Sequence, residues 1–318
     1  MKNSSISWLL GILMMTIVML TGCDTAAEEQ VTIRLALLPI VDSLPVHVAL
    51  QEGYFEAQDL QVEVIPVASA PERDQLVAAG RAEGMINELV STMFFNRQEE
   101  RVQIIRTARA ATEKQAVFRI LAAPDAGVKT PEDLKGVDIG ISEGTVIEYL
   151  TDRLLTAEGL SEEEIKKVAV PRIPDRLSLL ASGELPAAVL PDPLASLAIQ
   201  EGAVVVLDDS SHPEYGLSVY TFRVEFLQAH PQAVRGFLLA LEKAVGEINN
   251  QPEKYSGLLM EKELVPTQLL ENYQVPVFPL AAVPARSQWA DALAWALDRE
   301  LLDSELEYQK SVNGSYLP

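Results

Sequence analysis

The stretch Val31-Thr32-Ile33-Arg34-Leu35-Ala36-Leu37-Leu38-Pro39-Ile40-Val41-Asp42-Ser43-Leu44-Pro45-Val46-His47-Val48-Ala49-Leu50-Gln51-Glu52-Gly53 sets the grammar of the chain. Val31–Leu38 is β-rich and stops at Pro39, which cannot donate to a ladder, so it predicts a strand. Ser43 predicts the cap of a helix from Leu44 to Glu52, which Gly53 ends. Strand, loop and helix then alternate: a strand at Gln61–Val67, a helix at Glu72–Ala79, a short buried strand at Gly84–Asn87, a helix at Ser91–Arg97 and a strand at Val102–Thr107. Such alternation predicts a parallel or mixed sheet covered by helices.

The pattern restarts at Phe118. Strands are predicted at Phe118–Ala122, Val137–Ser142, Val168–Val170, Ala187–Leu190 and Ala203–Leu207, with helices at Val146–Glu158, Asp175–Ser182 and Pro193–Gln200. After Leu217–Arg223 the chain turns helical, led by Pro231–Asn249 with Val234, Phe237, Leu238 and Leu241 on one face. Further helices are predicted at Glu253–Lys262, Thr267–Glu271 and Ser287–Arg299. Two α/β halves and a helical tail predict two lobes: 31–110 plus 222–318, and 111–221 with the hinge crossovers. Ligands of open α/β sheets bind beyond the C-terminal strand ends, so facing lobes predict a cleft.

Composition narrows the function. The 318 residues are 48% hydrophobic and 22% charged, which is globular, and the formal charge of −21 disfavours a phosphate backbone as partner. The single cysteine excludes an intrachain disulfide and a cysteine-based zinc cage. Ile6–Leu20, behind Lys2, is apolar but shorter than the roughly 20 residues of a spanning helix, and reads as an export signal covering 1–22. Leu20-Thr21-Gly22-Cys23 resembles the lipobox of bacterial lipoproteins, which implies cleavage before Cys23 and its acylation, palmitate included. Residues 23–30 are then a tether, and the protein a lipid-anchored one on the extracytoplasmic side of the cell membrane.

Leu38 to Phe55 resembles the opening of ABC-importer substrate-binding proteins of the branch for nitrate, sulfonates, thiamine precursors and riboflavin. Thr130-Pro131-Glu132-Asp133-Leu134-Lys135-Gly136, Leu190-Pro191-Asp192-Pro193 and His230-Pro231-Gln232-Ala233-Val234-Arg235-Gly236-Phe237-Leu238 resemble its later landmarks, in order. The resemblance implies a two-lobed, type II periplasmic-binding-protein-like α/β fold with a mixed sheet in each lobe. It also implies a monomer without cofactor or metal, partnered by an ABC permease and its ATPase. Gly84-Met85-Ile86-Asn87-Glu88 departs from the Asp-Ala or Asp-Gly pair of many members.

Cleft candidates are the residues just past strand ends: Asp42, Ser43, Ser69, Asn87, Glu88, Ser142, Glu143, Thr145, Asp192 and, near the return crossover, Tyr220. Thr145 serves equally as cap of the next helix, whose free N–H groups would suit a ligand oxygen. Asp42, Glu88, Glu143 and Asp192 accept hydrogen bonds when ionised, which suits a donor-rich heterocycle such as riboflavin or a thiamine pyrimidine. Arg73, Arg106 and Arg109 pull the other way, because one guanidinium in the pocket suits a sulfonate or nitrate. Tyr149, Tyr215 and Tyr220 are candidates to stack on a ring. Gly140-Ile141-Ser142-Glu143-Gly144 matches the nucleophile elbow of hydrolases, with Asp192 and His212 or His230 as partners on paper. A pyrimidine synthase of the same fold would need a histidine-rich pocket, and the chain has three histidines. The expected role is solute capture without chemistry.

Overall fold

The structure, a computed structural model, describes residues 30–318. The predicted signal peptide, the acylated Cys23 and all but the last residue of the tether lie outside the described residues.

Two five-stranded sheets carry the fold. The first has the order β2-β1-β3-β10-β4, with β1 Val31–Leu37, β2 Leu60–Pro66, β3 Gly84–Asn87, β4 Val102–Ala110 and β10 Leu217–Arg223. The second has the order β7-β6-β8-β5-β9, with β5 Phe118–Ala122, β6 Asp138–Ile141, β7 Lys166–Ala169, β8 Ala187–Pro191 and β9 Val204–Asp208. Each sheet has parallel strands with one antiparallel intruder. β10 runs antiparallel to β3 and β4, and β5 antiparallel to β8 and β9. Each intruder is a crossover strand, so the two sheets repeat one topology. This is the mixed-sheet, two-lobed arrangement expected.

The helices are α1 Leu44–Gln51, α2 Ala70–Ala78, α3 Leu89–Asn96, α4 Val146–Ala157, α5 Ile173–Ser182, α6 Leu194–Gln200, α7 Val224–Ala229, α8 Pro231–Asn250, α9 Ser256–Glu261, α10 Arg286–Asp298 and α11 Tyr308–Ser311. Local signals place many of their starts. Ser69 Oγ accepts from Glu72 N–H at 3.3 Å to cap α2, and Thr145 Oγ1 accepts from Ile147 N–H at 3.2 Å to cap α4. Ser43 does not cap α1. Its backbone is already helical, at φ −84° and ψ −7°, within a short turn, and its hydroxyl donates to Ile40 O at 2.8 Å. The long helix α8 buries Val234, Phe237, Leu238 and Leu241, with Phe237 stacked on Phe55 at 5.2 Å between ring centroids. Predicted Thr267–Glu271 is only a single turn, Thr267–Leu269.

β10 pairs with β3 and β4, so the return crossover is complete by Leu217 and Leu217–Arg223 runs in the first sheet. The tail stays with the first sheet and also reaches the second lobe. It is pinned to β4 where Thr107 N–H donates to Ala282 O at 2.7 Å, and again where Val312 bridges Ile104. Between these points α10 packs on α3 and its side chains reach α4, which follows β6 of the second sheet. Asp291 accepts from Tyr149 Oη at 2.7 Å and from Arg153 Nε at 2.9 Å. Buried Asp152 accepts from Trp295 Nε1 and pairs with Arg299, each at 2.9 Å.

The two crossovers are laced by one carboxylate. Asp209 accepts from Val117 N–H at 2.8 Å and Phe118 N–H at 3.2 Å. Only glycine fits opposite it: a Cβ on Gly216 would stand 1.8 Å from Asp209 Oδ2 and 3.0 Å from Ala111 Cβ.

Candidate functional site

A cavity of about 80 Å³ lies between the C-terminal ends of strands from both sheets. It is smaller than the ~300–1,000 Å³ common for ligand pockets, so any but the smallest solute enters only as the lobes part. The first sheet presents Leu38, Ile40 and Asp42 after β1, Ile86, Asn87 and Glu88 at the end of β3, and Arg73 from α2. The second presents Ser142, Thr145 and Ile147 after β6, Ile173 and Arg176 from α5, and Phe118 and Pro191 from the adjoining strands. Most of the wall is apolar, with a few polar atoms around it.

Those polar atoms are mostly donors. Arg73 is 3% exposed: Nε donates to Asp74 at 2.7 Å and Nη1 to Ile86 O at 3.2 Å, while Nη2 has no hydrogen-bond partner. Arg176 is fully buried. Its Nε donates to Val189 O at 2.8 Å and its Nη1 to Val170 O at 2.7 Å, and its Nη2 is unpartnered. Among the described residues no carboxylate pairs with Arg176, and burial pulls its guanidinium down to about 10. Gly140 makes room for it, since a Cβ there would meet Leu185 Cδ2 at 2.1 Å and Arg176 Cγ at 3.3 Å. Ser142 Oγ is buried without a partner.

The acceptors are mostly engaged. Asp42 lines the cavity, but its carboxylate accepts from Arg109 Nη1 at 3.2 Å and Ser218 Oγ at 2.6 Å. Asn87 also lines it, with its Nδ2 donating to Ser91 and Thr92 and its Oδ1 accepting from Thr221. Glu88 caps α3, Oε2 accepting from Ser91 N–H at 3.0 Å, while Oε1 is unpartnered, 3.8 Å from Arg73 Nη2. Burial pushes this carboxyl up to about 7, against the pull of Arg73.

Of the ten candidates, Asp42, Asn87, Glu88, Ser142 and Thr145 line the cavity and the other five do not. Ser43 is turned into its own turn, and Ser69 caps α2 beside the wall residue Ala70. Glu143 points to solvent. Asp192 does not join Asp42 around a solute. It is held by Arg119 at 3.0 Å, by Ser196 and Tyr273, and more loosely by Arg109 at 3.7 Å, so Arg109 lies between the two carboxylates. Asp192 instead faces a separate groove of about 600 Å³ lined by Lys114, Arg119 and Tyr273. Tyr220 is core, edge-on to Phe237. Tyr149 packs under Trp295 and Tyr215 on His212, leaving Phe118 as the aromatic of the cavity.

Arg176 and Phe118 escaped the sequence reading. An arginine within a strongly acidic chain looks like a surface charge; the only available signal was its place on a helix right after a strand end. No histidine lines the cavity among the described residues. His212 stacks on Tyr215, His230 lies tilted against Phe226, and His47, pulled down to about 4 by burial, lies by Lys262. The hydroxyl of Ser142 therefore meets no base.

The profile of the NMT1/THI5-like family matches residues 41–255. A Haemophilus influenzae protein provisionally named for thiamine biosynthesis is 25% identical over 144 residues, 45% of either chain. An Escherichia coli protein provisionally named for binding aliphatic sulfonates is 25% identical over 154 residues, 48% of either chain. The matches thus span about half the length of these curated relatives. Among solved structures, the alkanesulfonate-binding protein SsuA from Xanthomonas axonopodis pv. citri, bound to MOPS, superposes with a TM-score of 0.76 at 18% identity, over 90% of this chain and 99% of that one. The desulfurization enzyme DSZB shares the fold at a TM-score of 0.69 and 14% identity, over 90% and 97% of the two chains, so the fold alone does not decide between binding and catalysis. Sheet order, cleft position and the profile match agree: the chain belongs to the NMT1/THI5-like family and has the type II periplasmic-binding-protein fold.

Proposed function

We propose that this protein is the solute-binding component of an ABC importer, that it captures a small organic oxyanion of the sulfonate class, and that it hands the solute to the permease unchanged. Arg176 carries the reading. A buried guanidinium without a carboxylate, with an unpartnered N–H in the wall of an interlobe cavity, is a costly arrangement that an anionic ligand relieves. Arg73 offers a second free N–H from the opposite lobe, and Ser142 a hydroxyl. A vitamin ligand calls for the four carboxylates to turn to one solute. Asp42 and Asp192 are consumed by arginines, and Glu143 is exposed, so that support falls away. The names of the sulfonate-binding relative and fold neighbour point the same way.

Catalysis is not part of the proposal, since Ser142 lacks a base and none of the described His, Cys, Asp and Glu residues cluster as metal ligands. No described helix is long and apolar enough to cross a membrane, and we assign attachment to an acylated Cys23. The test is calorimetric titration of the purified protein with ethanesulfonate, nitrate, riboflavin and a thiamine pyrimidine. Saturable sulfonate binding supports the reading. Riboflavin or pyrimidine binding without sulfonate binding overturns it in favour of the vitamin class.

A further inference from the structure

Four polar atoms around the cavity are buried and unpartnered, and they are not all of one kind. Arg73 Nη2, Arg176 Nη2 and Ser142 Oγ can donate, whereas Glu88 Oε1, when ionised, can only accept. Glu88 cannot swing away to hide that oxygen. Its other oxygen is fixed as the cap of α3 by Ser91 N–H, and the residue is 4% exposed. Arg73 Nη2 stands 3.8 Å from Oε1, beyond hydrogen-bond reach, so the pair is charge-matched without a shared proton. A plain oxyanion placed on Arg73 would bring its own charged oxygens close to Oε1, and in a desolvated cleft that repulsion is little screened.

Building on the oxyanion reading above, we infer that the ligand carries a hydroxyl or ammonium group besides its anionic group, and that Glu88 Oε1 accepts from it while the anion sits on Arg176 of the opposite lobe. The apolar wall between, with Ile40, Ile86, Phe118, Val146, Ile173 and Leu217, fits a short carbon skeleton joining the two polar ends. The class is thus an amphoteric or hydroxylated organic anion. Glu88 would be its specificity determinant, reading the end of the ligand remote from the anion.

A competing arrangement has Glu88 protonated and donating its own proton to a plain anion, which the upward shift of its carboxyl by burial allows. Matched ligand pairs separate the two on the unaltered protein. Ethanesulfonate is titrated against 2-hydroxyethanesulfonate and 2-aminoethanesulfonate at pH 8, and the three-carbon homologues likewise. The inference expects a donor-bearing member to bind at least tenfold tighter than its parent, and Glu88→Gln to abolish the advantage of the ammonium, with the parent binding no weaker than before because the repulsion from Oε1 is gone. Equal affinities within each pair, or a parent that binds tighter, overturn the inference and leave the oxyanion reading standing. No binding of any member overturns both. The ligand comparison needs no variant, so an unstable Glu88→Gln leaves the test intact.

Discussion

Arg176→Met is the perturbation that most directly probes the cleft, because stability and binding should respond differently. Methionine keeps an unbranched stem in the space beside Gly140 and removes the cation. The fall of the guanidinium from its ordinary value to about 10 corresponds to roughly 3 kcal/mol against the charged, buried form. Against this, the charge-assisted bonds to Val189 O and Val170 O contribute about 1.5–3 kcal/mol each. The two sums nearly offset, so the ligand-free variant should lose no more than about 3 kcal/mol. Binding should not be spared. Removing a buried cation from an anion costs about 2–5 kcal/mol, roughly 30-fold to several-thousand-fold in affinity. The assay is urea unfolding with and without 2-hydroxyethanesulfonate at about one hundred times its wild-type Kd. The wild type should gain about 2.7 kcal/mol from the ligand, and Arg176→Met no more than about 0.9 kcal/mol. A variant still stabilised by the sulfonate as wild type is would refute the role of Arg176. A variant that cannot fold would show instead that the arginine is chiefly a strut between β8 and the end of β7.

Gly216→Ala should destabilise by about 1–3 kcal/mol or more, since its Cβ would stand 1.8 Å from Asp209 Oδ2; a urea midpoint unchanged from wild type would contradict the packing described. Burial pushes the Asp209 carboxyl up from 3.8 to about 7, so the folded chain keeps a proton that the unfolded chain has released. The stability this contributes is full below pH 3.8 and is lost as pH rises to 7. Asp209→Asn should therefore gain on wild type by roughly 2 kcal/mol between pH 5 and 7.5, a difference in which the opposite titration of His47 cancels. A pH-independent difference would place the ordinary carboxylate value on Asp209. Cys23→Ala should abolish fatty-acid labelling and release the protein from the membrane fraction; absence of label on the wild type would end the lipoprotein reading.

Much of the fold was legible in short-range patterns, because the forces that start and stop elements act within a few residues. Ser69 and Thr145 cap helices by bonding N–H groups two or three positions away, and the apolar face of α8 is a matter of spacing along one helix. Ser43 shows where this runs out. Its type suits a cap, but a preceding turn had already made its backbone helical. The cleft was locatable because strand ends are local, and five of the ten residues chosen there line it. Which charges face a solute was not locatable. Asp42 and Asp192 lie on opposite halves of the chain, and Arg109, far from both in sequence, takes up one and approaches the other. Arg176 stands out only once it is known that nothing acidic folds beside it. The placing of β10 in the first sheet and of α10 on α3, within reach of α4, likewise depends on pairings between distant segments. The sequence by itself determined most of the elements, their order and the family. The tertiary structure decided which polar atoms neutralise one another and which are left for a ligand, because electrostatic pairing acts through space and is blind to separation along the chain.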